Sequence, residues 1–81
     1  ICAAPMVLAE AGVLEGRQAT SYPGFLDALP GVTVSAAAVV QDGKVLTSRG
    51  PGTAMDFALA LIETLAGADK RQQVEAALVR P

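Results

Sequence analysis

After Pro30-Gly31 the sequence changes its hydrophobic period, and the stretch that follows restricts the fold more than any other feature. Val32-Thr33-Val34 and Ala37 to Gln41 are β-like, and Asp42-Gly43 is a two-residue hairpin signal leading into Lys44-Val45-Leu46-Thr47-Ser48. Ala37 to Ser48 therefore reads as a β-hairpin. Arg49-Gly50-Pro51-Gly52 breaks the second strand. Thr53 then stands at an N-cap position, with Asp56 three residues on in a variant capping box, and Ala54 to Ala66 is a run of helix formers stopped by Gly67. Strand, tight turn and helix in that order belong to an α/β fold.

The remaining segments fit around this unit. Pro5 suits the first turn of a helix over Ala4 to Ala11, Gly12 suits the left-handed position past its end, and Val13 is placed to fold back on Leu8. Gly16 marks a turn, and Arg17 to Thr20 reads as an edge or a brief parallel strand. Ser21-Tyr22-Pro23-Gly24 is loop chemistry, with Tyr22 pushed out of the helical region by the proline that follows. Gly24 to Leu29 is expected to form a helical turn or two before Pro30-Gly31 stops it. Asp69 is expected to cap a last helix from Lys70 to Leu78, with Val74, Ala77 and Leu78 on one face.

In Ala54 to Ala66, Asp56, Glu63 and Thr64 form a narrow polar stripe. Met55, Phe57, Leu59, Leu61, Ile62 and Leu65 take up most of the circumference. A helix with so wide an apolar arc is covered on more than one side, by its own sheet and, on this reading, by a second subunit.

The chain has 81 residues, of which 52% are hydrophobic and 17% charged, with a mean hydropathy of +0.44. Small domains expose much of their surface, and so apolar a composition is expected of part of a larger core. Ile1 reads as the last step of a buried strand. The expectation is that residues 1–81 are the C-terminal portion of a single domain and do not fold stably alone. Proline, glycine and charges interrupt every apolar run, so no stretch reads as a membrane span. The net charge is −2 and the basic residues are dispersed, which leaves no footprint for nucleic acid or an anionic membrane. One cysteine and no histidine rule out an intrachain disulfide, and no metal site is expected. A lone thiol fits a reducing compartment, the cytoplasm.

Cys2 lies just before the apolar helix, with small Ala3 and Ala4 beside it. A cysteine where a strand hands over to a helix is the arrangement of a nucleophile elbow, and helix N-termini favour the thiolate. The plain alternative is a free cysteine acting as a small buried hydrophobe. The Ala3 backbone N–H is either an oxyanion donor or an ordinary unpaired helix-start amide. Arg49-Gly50-Pro51-Gly52 is either an anion cradle at a helix start or a structural connection with Arg49 solvated or ion-paired. Tyr22 either lines a pocket or packs on Pro23. Asp56 and Glu63 are sufficiently explained by capping and solvation.

Three stretches together resemble the ThiJ/PfpI superfamily, in the branch of the Parkinson-disease protein deglycase. They are Ile1-Cys2-Ala3-Ala4-Pro5, Ala19-Thr20-Ser21-Tyr22-Pro23-Gly24, and Asp42 to Ala54 running into Phe57-Ala58-Leu59. The resemblance implies the C-terminal part of a flavodoxin-like (Rossmann-like) three-layer α/β sandwich with a β-hairpin, class I glutamine amidotransferase-like. It also implies an N-terminal half that brings a glutamate to the thiol, and a homodimer. Cys2 would be the nucleophile and Ala3 N–H the oxyanion donor, with Tyr22, Arg49, Gly50 and Pro51 lining the substrate pocket.

Peptidase-like relatives have histidine after the nucleophile, where Ala3 stands here, and members of the human-like branch often have histidine at the position of Tyr22. Proton handling is thereby shifted to the glutamate. The implied function is a cofactor-free glyoxalase or deglycase acting on a small reactive carbonyl. The alternative is a redox sensor or stress-protective protein working through oxidation of Cys2. A cysteine peptidase is disfavoured by the missing histidine. An N-terminal nucleophile hydrolase is disfavoured because Ile1 precedes Cys2.

Overall fold

The computed structural model describes all residues, Ile1–Pro81. In chain order it contains helix α1 (Pro5–Glu10), strands β1 (Arg17–Ala19), β2 (Val32–Val34), β3 (Val39–Asp42) and β4 (Val45–Ser48), a 3-10 turn at Pro51–Thr53, and helices α2 (Ala54–Ala66) and α3 (Ala68–Leu78). β1 and β2 pair in parallel, with Gln18 opposite Thr33, and β3 and β4 pair antiparallel, with Val40 opposite Thr47.

Helix α1 starts on the buried ring of Pro5, whose missing N–H has no partner to lose at that position. Its end is a Schellman motif. Gly12, at φ 79°, donates its N–H to Ala9 O at 3.0 Å, and Val13 donates to Leu8 O at 3.0 Å. Both features follow from the sequence pattern.

The hairpin is shorter than expected, and its turn sits one residue later. Gly43 and Lys44 are the two loop residues, with Gly43 at φ 61° and Lys44 on the ordinary side. Glycine at the first central position is what a II′ turn requires, so Asp42 is the last strand residue. At the other end the ladder begins at Val39. Ser35 Oγ accepts the Ala37 N–H at 3.1 Å, and this local bond diverts the backbone from pairing.

Helix α2 keeps its expected bounds, Ala54–Ala66, but three other local expectations change. Gly24 to Leu29 forms no helix: Gly24 is at φ 98°, and the turn bonds Phe25 N–H to Tyr22 O and Leu29 N–H to Leu26 O are separate. The Thr53 side chain makes no capping bond to α2. Its Oγ1 accepts the Gly50 N–H at 3.2 Å and lies 2.6 Å from Ser48 Oγ. Helix α3 starts at Ala68 because Arg71 N–H already reaches the Gly67 carbonyl at 3.2 Å, which leaves Asp69 in the first turn rather than at the cap.

Asp56 also has a different partner from the expected cap. Arg80 donates to its Oδ1 at 2.7 Å and to Glu75 Oε2 at 3.3 Å. This fastens the end of α3 to the start of α2. The Asp56 hydrogen bond raises the Arg80 guanidinium above its ordinary range.

Leu14, Ala19 and Leu26 form the core, backed by Leu8, Ala9, Val32 and Val45, while Leu59 of α2 is buried separately. In all, 11 of 81 residues are buried. Met6 and Val7 of α1 and Met55, Leu61 and Leu65 of α2 remain exposed. The apolar arc of α2 is thus covered on one side only within this chain. No helix is long and apolar enough to cross a membrane.

Candidate active site

Cys2 sits in a turn closed by the Ala4 N–H bond to Ile1 O at 3.1 Å. Its φ is 63°, the left-handed region, where a side chain with Cβ costs about 1–2 kcal/mol. Such a conformation persists only where the surroundings fix it, and here two segments do so. The Cys2 N–H donates to Ser48 O at 3.2 Å, at the end of β4, and Tyr22 N–H donates to Cys2 O at 2.8 Å, in the loop after β1. Cys2 is half-buried and unpaired. The Ala3 N–H donates to no protein group. No group of histidine, cysteine and carboxylates is assembled that could hold a metal ion.

A hydroxyl chain supports the Ser48 anchor. Ser48 is fully buried and its Oγ donates to Ala38 O at 2.7 Å, with Thr53 Oγ1 at 2.6 Å on its other side. Thr47 Oγ1 accepts the Thr20 N–H at 3.0 Å, tying β4 to the end of β1. Consecutive buried hydroxyls at a strand end follow neither hydrophobic period, so Thr47 and Ser48 are not singled out by pattern, and Thr53 stands out only as an expected helix cap. The only sequence signal for them is two small hydroxyl residues directly before a glycine-rich turn.

The expected pocket residues divide. Tyr22 packs on Gly50, where an added Cβ would lie 3.4 Å from its ring, and its ring meets Phe25 edge-on at 6.2 Å. Cys2, Tyr22 and Gly50 are therefore brought together, by backbone bonds and a ring contact. Arg49 directs its guanidinium to Ala36 O at 3.3 Å and lines a cleft with Ser21, Asp27 and Ser35. Pro51 is exposed at the first position of the 3-10 turn. Cys2 itself lines none of the three clefts on this surface.

The DJ-1/PfpI family model matches residues 1–64. Protein dj-1beta of Drosophila melanogaster is 49% identical over 81 residues, covering 98% of this chain and 43% of that protein. The crystal structure of Drosophila melanogaster DJ-1beta superposes with a TM-score of 0.91 at 45% identity, over 99% of this chain and 44% of that one. A structure described as Toxoplasma gondii DJ-1, oxidized, superposes with a TM-score of 0.88 at 38% identity, covering 96% of this chain and 43% of that one. The chain thus spans less than half the length of these relatives. Their α/β architecture, flavodoxin-like and class I glutamine amidotransferase-like, is the one to which its elements conform. From the matched family model and the agreement in both sequence and fold, the chain belongs to the DJ-1/PfpI family, in its DJ-1 branch.

Proposed function

We propose that the domain containing this chain is a cysteine-dependent, cofactor-free enzyme of the glyoxalase and deglycase type, acting on 2-oxoaldehydes such as methylglyoxal or on their early adducts. The observation that carries this reading is the left-handed Cys2, held between Ser48 and Tyr22 with the Ala3 N–H unpaired beside it. The Cys2 thiolate adds to the aldehyde carbon and forms a hemithioacetal. A carboxylate moves the proton from that carbon to the neighbouring one, leaving a thioester of a 2-hydroxy acid. Water hydrolyses the thioester, which releases the acid and restores the thiol. The Ala3 N–H serves the oxyanion of the addition and hydrolysis steps.

In this reading residues 1–81 are the C-terminal portion of the domain. The carboxylate comes from the N-terminal half, in keeping with the 43% of the relative that this chain spans. The same half and a second copy of the protein cover Met6, Val7, Met55, Leu61 and Leu65. A reducing compartment such as the cytoplasm suits the lone thiol. In the full-length protein, lactate is expected from methylglyoxal and is expected to be lost in Cys2→Ser. No lactate from the wild type would end the proposal.

The oxidized Toxoplasma gondii relative favours a second reading, in which peroxide converts Cys2 to a sulfenic or sulfinic acid. Mass spectrometry after mild peroxide tests it, and an unmodified Cys2 would remove it. With no histidine in the sequence, a cysteine peptidase has nothing in its favour here.

A further inference from the structure

Along β1 the backbone alternates in what it bonds. Gln18 N–H donates to Asp42 Oδ2 at 2.8 Å, Thr20 N–H to Thr47 Oγ1 at 3.0 Å and Tyr22 N–H to Cys2 O at 2.8 Å, so even-numbered positions face the hairpin and the elbow. Ala19 O accepts from Ser35 N–H at 2.9 Å, so odd-numbered positions face β2. In the β1–β2 register, Gly31, Thr33 and Ser35 then turn their backbone groups toward β1, while those of Val32 and Val34 point away from it. No strand lies on that side of β2, and neither the N–H nor the C=O of Val32 or Val34 has a partner outside the ladder. In the function proposed above, the N-terminal half joins at Ile1 and Cys2, on the far side of β1, and leaves this edge open. Exposed edges are commonly blunted by lysine or proline, and Val32-Thr33-Val34 contains neither.

Side chains at opposite positions of paired strands share a face. A residue opposite Val32 would therefore point to the face on which Val32 packs against the Leu14, Ala19 and Leu26 core. Val32 also lines a cleft of about 350 Å³, together with Met6, Phe25 and Leu29 and with the carboxylates of Glu10 and Glu15. Of these walls only Met6 belongs to the surface that the rest of the domain covers in the function proposed above. The ion pairs of the chain engage Asp42, Asp56, Glu63 and Glu75, so Glu10 and Glu15 have no cation. Apolar walls beside two unpaired carboxylates suit a cation on an apolar stem, which is the form of a lysine or arginine side chain. A metal ion would lack a third ligand. A second copy of β2 would bring no cation, because Pro30 to Ala36 carries no charge.

We propose that the edge of β2 docks an extended peptide of a partner protein, which adds a strand beside Val32 and Val34 and sets a basic residue opposite Val32. The stem of that residue lies on Phe25 and Leu29, and its charge meets Glu10 and Glu15. Main-chain bonds supply affinity without regard to sequence, and the cleft selects the basic side chain.

The test uses the full-length protein and a pentapeptide capped at both ends, acetyl-Thr-Val-Lys-Val-Thr-amide. Titration followed by NMR should show binding, with amide exchange slowed at Val32 and Val34 as main-chain pairing requires. Norleucine in place of the peptide's lysine, or Glu10→Gln and Glu15→Gln together in the protein, should weaken binding about tenfold or more, the loss of one charge-assisted hydrogen bond. Val34→Pro removes an outward N–H at an edge position, where proline is tolerated. It should abolish binding while leaving the circular dichroism spectrum unchanged. Should that variant fail to fold, a peptide methylated on its backbone nitrogens carries the same test with the wild-type protein, and it should not bind. Absence of binding, or binding indifferent to these changes at the backbone, overturns the proposal. Binding that ignores both the lysine and the two carboxylates overturns the basic partner. Protection of Val32 and Val34 without peptide, rising with protein concentration, would put a second copy on the edge and overturn it as well.

Discussion

Replacing Ser48 by alanine tests whether the hydroxyl chain behind the elbow holds Cys2 in place. The substitution deletes the 2.7 Å bond to Ala38 O and the 2.6 Å contact with Thr53 Oγ1. It leaves Ala38 O with only the Arg49 N–H at 3.4 Å. One buried hydrogen bond is worth about 1 kcal/mol net and two are lost, while Ala38 O and Thr53 Oγ1 each keep another partner, so a loss of about 2 kcal/mol is expected. In urea, with a slope of about 1–3 kcal/mol per molar, the midpoint should fall by about 1 M.

A double-mutant cycle with Thr53→Val separates the pair from its surroundings, and a coupling of roughly 1 kcal/mol is expected for hydroxyls in contact. Because Ser48 O accepts the Cys2 N–H, the lactate formation proposed for the full-length protein should also fall, by more than the folded fraction accounts for. A stability change under about 0.5 kcal/mol, the size of a neutral surface substitution, would refute the reasoning.

Thr20 Oγ1 is buried without a partner, so Thr20→Val should raise stability by about 1 kcal/mol, read as a higher Tm. Gly43→Ala combines a left-handed φ of 61° with a Cβ placed 2.7 Å from Arg17 Nη1, and should cost about 1–2 kcal/mol. Gly50→Ala, at an extended φ of 179° and an ordinary 3.4 Å contact with Tyr22, should be close to neutral. Cys2→Gly should be more stable than Cys2→Ala by about 1 kcal/mol in chemical denaturation, since only glycine escapes the left-handed cost. Arg80→Gln should speed amide exchange in the last turn of α3. The raised Arg80 group holds its proton until strongly alkaline pH, so in the wild type that contribution is present at neutral pH and is lost only as pH rises through the folded-state value. Exchange protection in that turn, corrected for the intrinsic rate, should therefore be flat across neutral pH.

The α/β class, helix α1 and the hairpin are legible because each rests on local chemistry: Pro5 and Gly12 bound α1, and Gly43 turns β3 into β4. Boundaries fail where a side chain displaces a backbone partner. Ser35 delays the hairpin, and Thr53 serves Gly50 instead of α2. Asp56 escapes a local reading because its partner, Arg80, lies 24 positions away. The division of the pocket residues was equally hidden, since neighbours on the chain, Arg49 and Gly50, meet different loops.

Gly67 ends α2 and begins α3 as one residue at φ 95°, so the two helices meet at a joint with no slack. An inserted residue in α2 would turn everything beyond it by about 100°. That rotation would carry Arg80 away from Asp56, and no linker exists to absorb it. A change of length within α2 or α3 is therefore expected to cost the Arg80–Asp56 ion pair.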